Sequence, residues 1–396
     1  MAPIPRLKPY TGPPLFSYGF RPFFLFGALY AALAIPLWLL LFVGEIKLDT
    51  AFAPRDWHVH EMLYGYVPAV VTGFLLTAIP NWTGRLPLQG TPLIVLVAAW
   101  ICGRVAVAVS STIGWLPAAA IDGAFIFLVA AAAAREIITG ANWRNLKVVS
   151  IVGLLAAANI AFHLEAHFSG VAEYSIRLGL AAIVMLITLV GGRIVPSFTR
   201  NWLARENPGR LPATFGKFDV VTVGASAIAL GLWIVRPTGA LTGAALIAAA
   251  LLQAARLARW AGERTIRDRL VLILHVGYLF IPIGFGLTAA AAFDRVAPSA
   301  GIHAFAGGAV GIMTLAVMTR ATLGHTGHVL QASRITQAIY AAVVLSALTR
   351  VCAALEPDKA VLLLAISGTL WAIAFAGFGL AYGRLLAFER LRGAAA

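Results

Sequence analysis

Charge is what this chain has least of. Only 12% of its 396 residues are charged, with 16 acidic against 30 basic side chains. A water-soluble globule of this length carries far more, so that class is excluded. Cysteine is nearly absent. Cys102 and Cys352 fall in the outer halves of apolar segments, and do not argue for a disulfide. There is no C-x-x-C-H, which rules out covalent c-type haem attachment. No P-loop and no G-x-G-x-x-G between a strand and a helix occurs among the 38 glycines, so nucleotide binding has no support. Ser-His-Asp and H-E-x-x-H arrangements are missing too. Period-two alternation is lacking, which excludes a membrane β-barrel.

What fills the chain instead is hydrophobic sequence, 60% of all residues. Hydropathy resolves into about twelve segments long enough for the ~20 residues of a spanning helix. They fall at 20–43, 57–79, 91–110, 116–135, 146–164, 174–196, 218–235, 239–259, 269–292, 299–319, 333–353 and 360–387. The expected fold is an all-α polytopic membrane bundle, since irregular backbone cannot face lipid. With the N-terminus inside, 22 of the 30 Lys and Arg residues lie on the inner side, so N-in and C-in are expected. The net charge of +14 is then mostly a topology signal. The basic loops at 193–217 and 256–269 read as lipid-surface faces rather than a nucleic-acid patch. Residues 1–396 read as one integral membrane domain without a soluble module. The first apolar run is too long for a signal-peptide core.

The second, sixth and tenth segments share a polar, Arg-bearing exit: IPNWTGR, GGRIVPSFTRNW and MTRATLGHTGH. A spacing of four suggests a three-fold, four-helix pseudo-repeat, although inward exits attract Arg in any case.

Histidines carry the chemistry. Six of the eight sit inside or at the edge of apolar segments, where an ionisable ring is expensive and marks a candidate site. His58, His60, His163, His167 and His303 are expected near the outer face; His275, His325 and His328 near the inner one. His58 and His60, two apart, point to nearly opposite sides of a helix. Asp56 is a candidate N-cap before them. Asn159, His163 and His167 share a face at four-residue spacing, with His167 at the water boundary. His303, Gly307 and Gly311 form a small-residue stripe that suits either a neighbouring helix or a porphyrin. Helical spacing narrows the outer metal site to His60, His163 and His303. His275 and His325 form a second, inner candidate.

Arg104 and Asp122 lie at equal depth on consecutive segments, so an ion pair is expected. Arg85, Arg193, Arg200 and Arg320, at the inner face, suit haem propionates or lipid phosphates equally. Glu61, next to His60, is the candidate to orient a ligand or deliver protons.

These stretches together resemble the NnrS family, haem- and copper-containing bacterial inner-membrane proteins linked to nitric oxide metabolism. The resemblance rests on FRPFFLFGALY, WHVHEMLYGY with TGFLLTAIPNWTGR, GGRIVPSFTRN, LHVGY around His275, and IHAFAGGAVGIMTLAVMTRATLGHTGH. It spans about 15–330; the last segments match only in hydropathy. It implies haem b, copper, a bacterial inner-membrane location and a role in nitrosative stress. Its histidines correspond to His58, His60, His163, His275, His303 and His325, undivided between haem and copper. The family typically has Arg where this chain has His328. The implied function is to bind nitric oxide, or to bind and reduce it with electrons from an unidentified donor. Two other functions compete: a b-type electron-transfer cytochrome without catalysis, and a proton-coupled transporter using Arg104–Asp122.

Overall fold

Apolar segments of this length become helices because lipid offers no partner for backbone N–H and C=O groups. The computed structural model describes residues 10–389, and these contain helices and no strand. Twelve helices are long and apolar enough to cross a membrane. They are α1 Phe20–Phe42, α2 Pro54–Thr83, α3 Thr91–Ala108, α4 Trp115–Thr139, α5 Trp143–Ser169 and α6 Tyr174–Glu206, then α7 Lys217–Val235, α8 Ala240–Ala258, α9 Arg269–Ala292, α10 Pro298–His325, α11 Arg334–Leu355 and α12 Pro357–Ala387. The all-helical, multi-pass reading therefore holds. Several helices overrun their hydropathy, among them α2, α6 and α10, which continue into their polar exits. A helix end that leaves the apolar layer stays helical, but a hydropathy window stops seeing it.

The same three helices share a second feature. Each contains a π-helical stretch, Glu61–Tyr66 in α2, Ile187–Gly191 in α6 and Ala304–Val310 in α10. A π-stretch widens the turn and frees backbone groups for other partners, which is why such stretches collect at functional positions. α2 opens with Pro54 at its first turn and Ala53 as N-cap. Asp56 is therefore inside the helix rather than capping it, and accepts Arg55 Nε at 2.9 Å and the Ala172 N–H at 3.1 Å.

The chain divides into two compact units. One comprises residues 10–179, 318–329 and 375–389 of the described chain; the other comprises 180–317 and 330–374. In the first, α3 packs on α4, α4 on α5, and α1 on α2. Arg21, fully buried at the start of α1, donates through one terminal nitrogen to the carbonyls of Leu385 and Leu386 at 3.1 and 3.0 Å. It thereby satisfies C-terminal carbonyls of α12 that have no partner within their own helix.

In the second unit α8 packs on α7 and α9. Its buried centre is polar. Arg256 donates to Asp219 Oδ1 at 2.8 Å, to the Thr188 carbonyl at 3.0 Å and to the Tyr278 hydroxyl at 3.0 Å. Thr188 lies in the π-stretch of α6. Tyr278 donates onward to Gln253 at 2.8 Å, and Gln253 to Ser226 at 2.9 Å. Large apolar side chains such as Leu33 and Leu380 point outward instead, as lipid-facing positions require.

A buried cation that loses its counter-charge is strongly destabilising. Asp219→Asn is expected to cost about 3 to 5 kcal/mol, read as a fall in the melting temperature of the detergent-solubilised protein. Arg259, half-exposed and 3.7 Å from Asp219, is the control. Arg259→Ala should leave the melting temperature nearly unchanged, and equal effects of the two changes would refute the role given to Arg256.

Candidate metal centre

Four helices of the first unit place polar side chains at one buried spot. α2 supplies His60 and Glu61 where its α-turns give way to the π-stretch. α3 supplies Arg104, α4 supplies Asp122, and α5 supplies Asn159 and His163 one turn apart. Each is buried. Small residues let the helices come this close. A Cβ on Gly65 would press on the Arg104 guanidinium, and one on Gly103 would meet Asp122 Cα and Oδ1 at 3.1 Å.

The expected Arg104–Asp122 ion pair forms, and Glu61 joins it. Arg104 donates to both Glu61 oxygens at 2.7 Å and, through its other terminal nitrogen, to Asp122 Oδ1. The Tyr30 hydroxyl, from α1, also donates to Glu61. Glu61 Oε1 accepts His60 Nδ1–H at 2.9 Å. The carboxylate thus fixes the imidazole so that its other nitrogen, Nε2, faces the cluster.

His60 Nε2 lies 3.0 Å from Asn159 Oδ1 and 3.1 Å from Asp122 Oδ2. His163 Nε2 lies 3.1 Å from the same Asp122 oxygen. His163 can donate to Asp122, but a neutral His60, its Nδ1–H given to Glu61, turns an acceptor on two oxygen acceptors, and a proton or a metal ion must mediate there. The charges agree. Two carboxylates against one guanidinium leave one net negative charge in a dry site, a deficit that a cation makes good. One ligand atom each from His60, Asp122 and His163 lies within 4.8 Å of the others. Two imidazole nitrogens and a carboxylate oxygen suit a borderline divalent ion. Separations near 3.1 Å match neighbouring ligands held at about 2.0–2.2 Å from one ion. Phe52 packs on both imidazoles, with ring centroids 5.0 and 5.2 Å away, and Phe162 covers His60 at 5.2 Å. The residues therefore fit a metal.

Of the three histidines expected at an outer site, His60 and His163 come together. His303 belongs to the other unit. There its Nδ1–H donates to the Ser299 carbonyl at 2.8 Å. The glycine stripe below it is partly a packing surface: the Trp371 ring fills the space a Gly311 side chain would take and Phe280 does the same at the adjacent Gly308, while the space at Gly307 stays open. A flat porphyrin does not fit along that whole stripe as packed. His58 stacks on Trp38 at 4.1 Å and points away from His60, as the two-residue spacing requires. His167 stacks on Trp115 at 4.5 Å and is exposed.

Of the inner candidates, His275 belongs to the second unit and His325 to the first. His275 Nε2 lies 2.8 Å from the Thr199 hydroxyl, and its buried Nδ1 has no hydrogen-bond partner and abuts Gly262. His325 is flanked by Tyr18 and Phe20, with ring centroids 5.7 and 5.5 Å away. Arg85 pairs with Glu136 at 2.5 Å. Arg193 and Arg320 are half-buried on α6 and α10. Sequence reasoning missed Asp122 and Asn159 as members of the site. The signal was present for Asn159, which shares the His163 face, and for Asp122, whose depth was matched only to Arg104.

Arg104 should behave as the counter-ion of two carboxylates. Arg104→Met is expected to cost about 3 to 5 kcal/mol, and adding Glu61→Gln should restore part of it by removing one of the stranded charges. Melting temperatures of the single and double variants test this; strictly additive losses would show that the two residues do not interact.

A family model described as NnrS protein matches residues 14–390. The match extends through α11 and α12, where the motifs were silent. No curated protein and no solved structure matches the chain. The family match over nearly the whole length, together with twelve apolar helices and a buried His-Asp-His group, places this multi-pass membrane protein in the NnrS family.

Proposed function

We propose that the chain is a metal-dependent protein of nitric oxide metabolism in the bacterial inner membrane, with copper held by His60, His163 and Asp122. The observation that carries this reading is the ring of acceptor atoms around His60 Nε2, at 3.0 and 3.1 Å, in a buried cluster with one negative charge in excess. A bound ion supplies a Lewis-acidic, redox-capable centre to which a small ligand can attach. The chain's residues do the rest. Glu61 orients His60 and, through Tyr30, connects it to α1. Phe52 and Phe162 keep the imidazoles out of water. Nitric oxide is small and uncharged, so it partitions into lipid and reaches such a site without a charged pore.

Haem b is the second cofactor the family implies. His303 is the imidazole that would hold it, with its Nδ1–H committed to the Ser299 carbonyl. His275, His325 and the arginines Arg85, Arg193 and Arg320 are the other proposed contacts. Since the stripe beside His303 is packed by Phe280 and Trp371, no step is assigned to a haem. The transporter reading loses support, because Arg104 and Asp122 are locked into one network with Glu61 and both imidazoles.

Metal analysis of the purified protein, with oxidised and reduced absorption spectra, tests the proposal. Copper near one equivalent is expected in the parent protein, falling at least about tenfold in His60→Ala and His163→Ala. Nitric oxide added to the reduced protein should perturb the spectrum, and nitrous oxide formation with a reductant would identify turnover rather than binding alone. Metal-free protein that stays metal-free on copper addition would sink the proposal.

A further inference from the structure

Asn159 does more than pack beside His163. It is fully buried, and both ends of its amide are committed. Nδ2–H donates to Asp122 Oδ2 at 2.7 Å, while Oδ1 faces His60 Nε2 at 3.0 Å. The amide cannot turn over, because a flip would set its oxygen against the Asp122 carboxylate. Oδ1 is therefore held toward His60 Nε2 whatever occupies the site. When a metal takes that nitrogen, Nε2 carries no proton to donate. Oδ1 would then face it lone pair to lone pair, unless the ion lies between them.

We infer that the Asn159 side-chain carbonyl is a fourth ligand, completing a two-nitrogen, two-oxygen set with His60, His163 and Asp122. This rests on the metal reading above. Its 3.0 Å separation from His60 Nε2 matches the 3.1 Å that divides each imidazole Nε2 from Asp122 Oδ2. Neighbouring ligands at about 2.0–2.2 Å from one ion subtend roughly 90–100° at that spacing. Asn159 stands one helical turn before His163 on α5, so one rigid face presents both donors. The set has no sulfur, which favours copper(II), zinc or iron(II) over copper(I).

The test uses full-length protein in detergent, stripped with a chelator and titrated with copper(II) against a competing chelator, with electron paramagnetic resonance of the loaded sample. Asn159→Leu is expected to weaken binding at least about tenfold and to change the copper hyperfine pattern. Asn159→Asp, which replaces the neutral oxygen with a charged one, should tighten it; a merely structural hydrogen bond would give no gain. Parent affinity and an unchanged spectrum in Asn159→Leu overturn the inference. Should that variant fail to fold, Asn159→Asp decides: tighter binding supports the ligand role, and equal or weaker binding with an unchanged spectrum overturns it. Asp122→Asn and His163→Leu are titrated in parallel. If neither of them alters copper binding, the ion is elsewhere and the metal reading itself fails, a result distinct from failure at Asn159 alone.

Discussion

A guanidinium buried among membrane helices is tolerable only when its charge is matched. Arg104 is matched twice, by Glu61 on α2 and by Asp122 on α4. That double pairing fixes three helices at one depth and over-supplies negative charge there. The surplus is what gives His60 and His163 something to do. Without Arg104 the carboxylates could not both remain ionised in so dry a place; with it, they still lack one positive charge. The proposed metal site takes its rigidity from the same ion pairs that leave it short of positive charge.

The second unit solves a similar problem differently. Arg256 has a single close carboxylate, Asp219, and turns one terminal nitrogen to a tyrosine hydroxyl and to a carbonyl in the π-stretch of α6. Its polar neighbours are saturated by one another, ending in Gln253 and Ser226. Such a network stabilises helix packing and leaves no group facing an unmet acceptor. The contrast is informative: a buried arginine is not by itself a mark of function, and the distinguishing trait of the first unit is acceptors gathered around an imidazole.

Much of this was legible in the sequence. The twelve spans follow from hydropathy, and the Arg104–Asp122 pair from equal depth on consecutive segments. His58 and His60 diverge as their spacing dictates. The metal set was only half legible. His60 and His163 were identified, but Asp122 was assigned wholly to Arg104, since a depth argument pairs opposite charges and does not reveal that one carboxylate oxygen remains for other partners. Asn159 went unread as a donor because amides carry no charge to betray them. The stripe at His303, Gly307 and Gly311 kept two meanings, because small residues admit an aromatic side chain as readily as a porphyrin. The π-stretches were invisible: Glu61–Tyr66, Ile187–Gly191 and Ala304–Val310 have no common composition.

Arg21 binds the first helix to the carbonyls that end the last one. The first unit is accordingly built from distant stretches of the chain, residues 10–179, 318–329 and 375–389. During synthesis its four site-bearing helices emerge early, but the segment that closes the unit leaves the ribosome some two hundred residues later, about 10 to 40 s at 5–20 residues per second. Throughout that interval the Arg21 guanidinium has no α12 carbonyls to hold. The half-built unit must be sheltered by lipid, by the insertion machinery or by the helices still arriving.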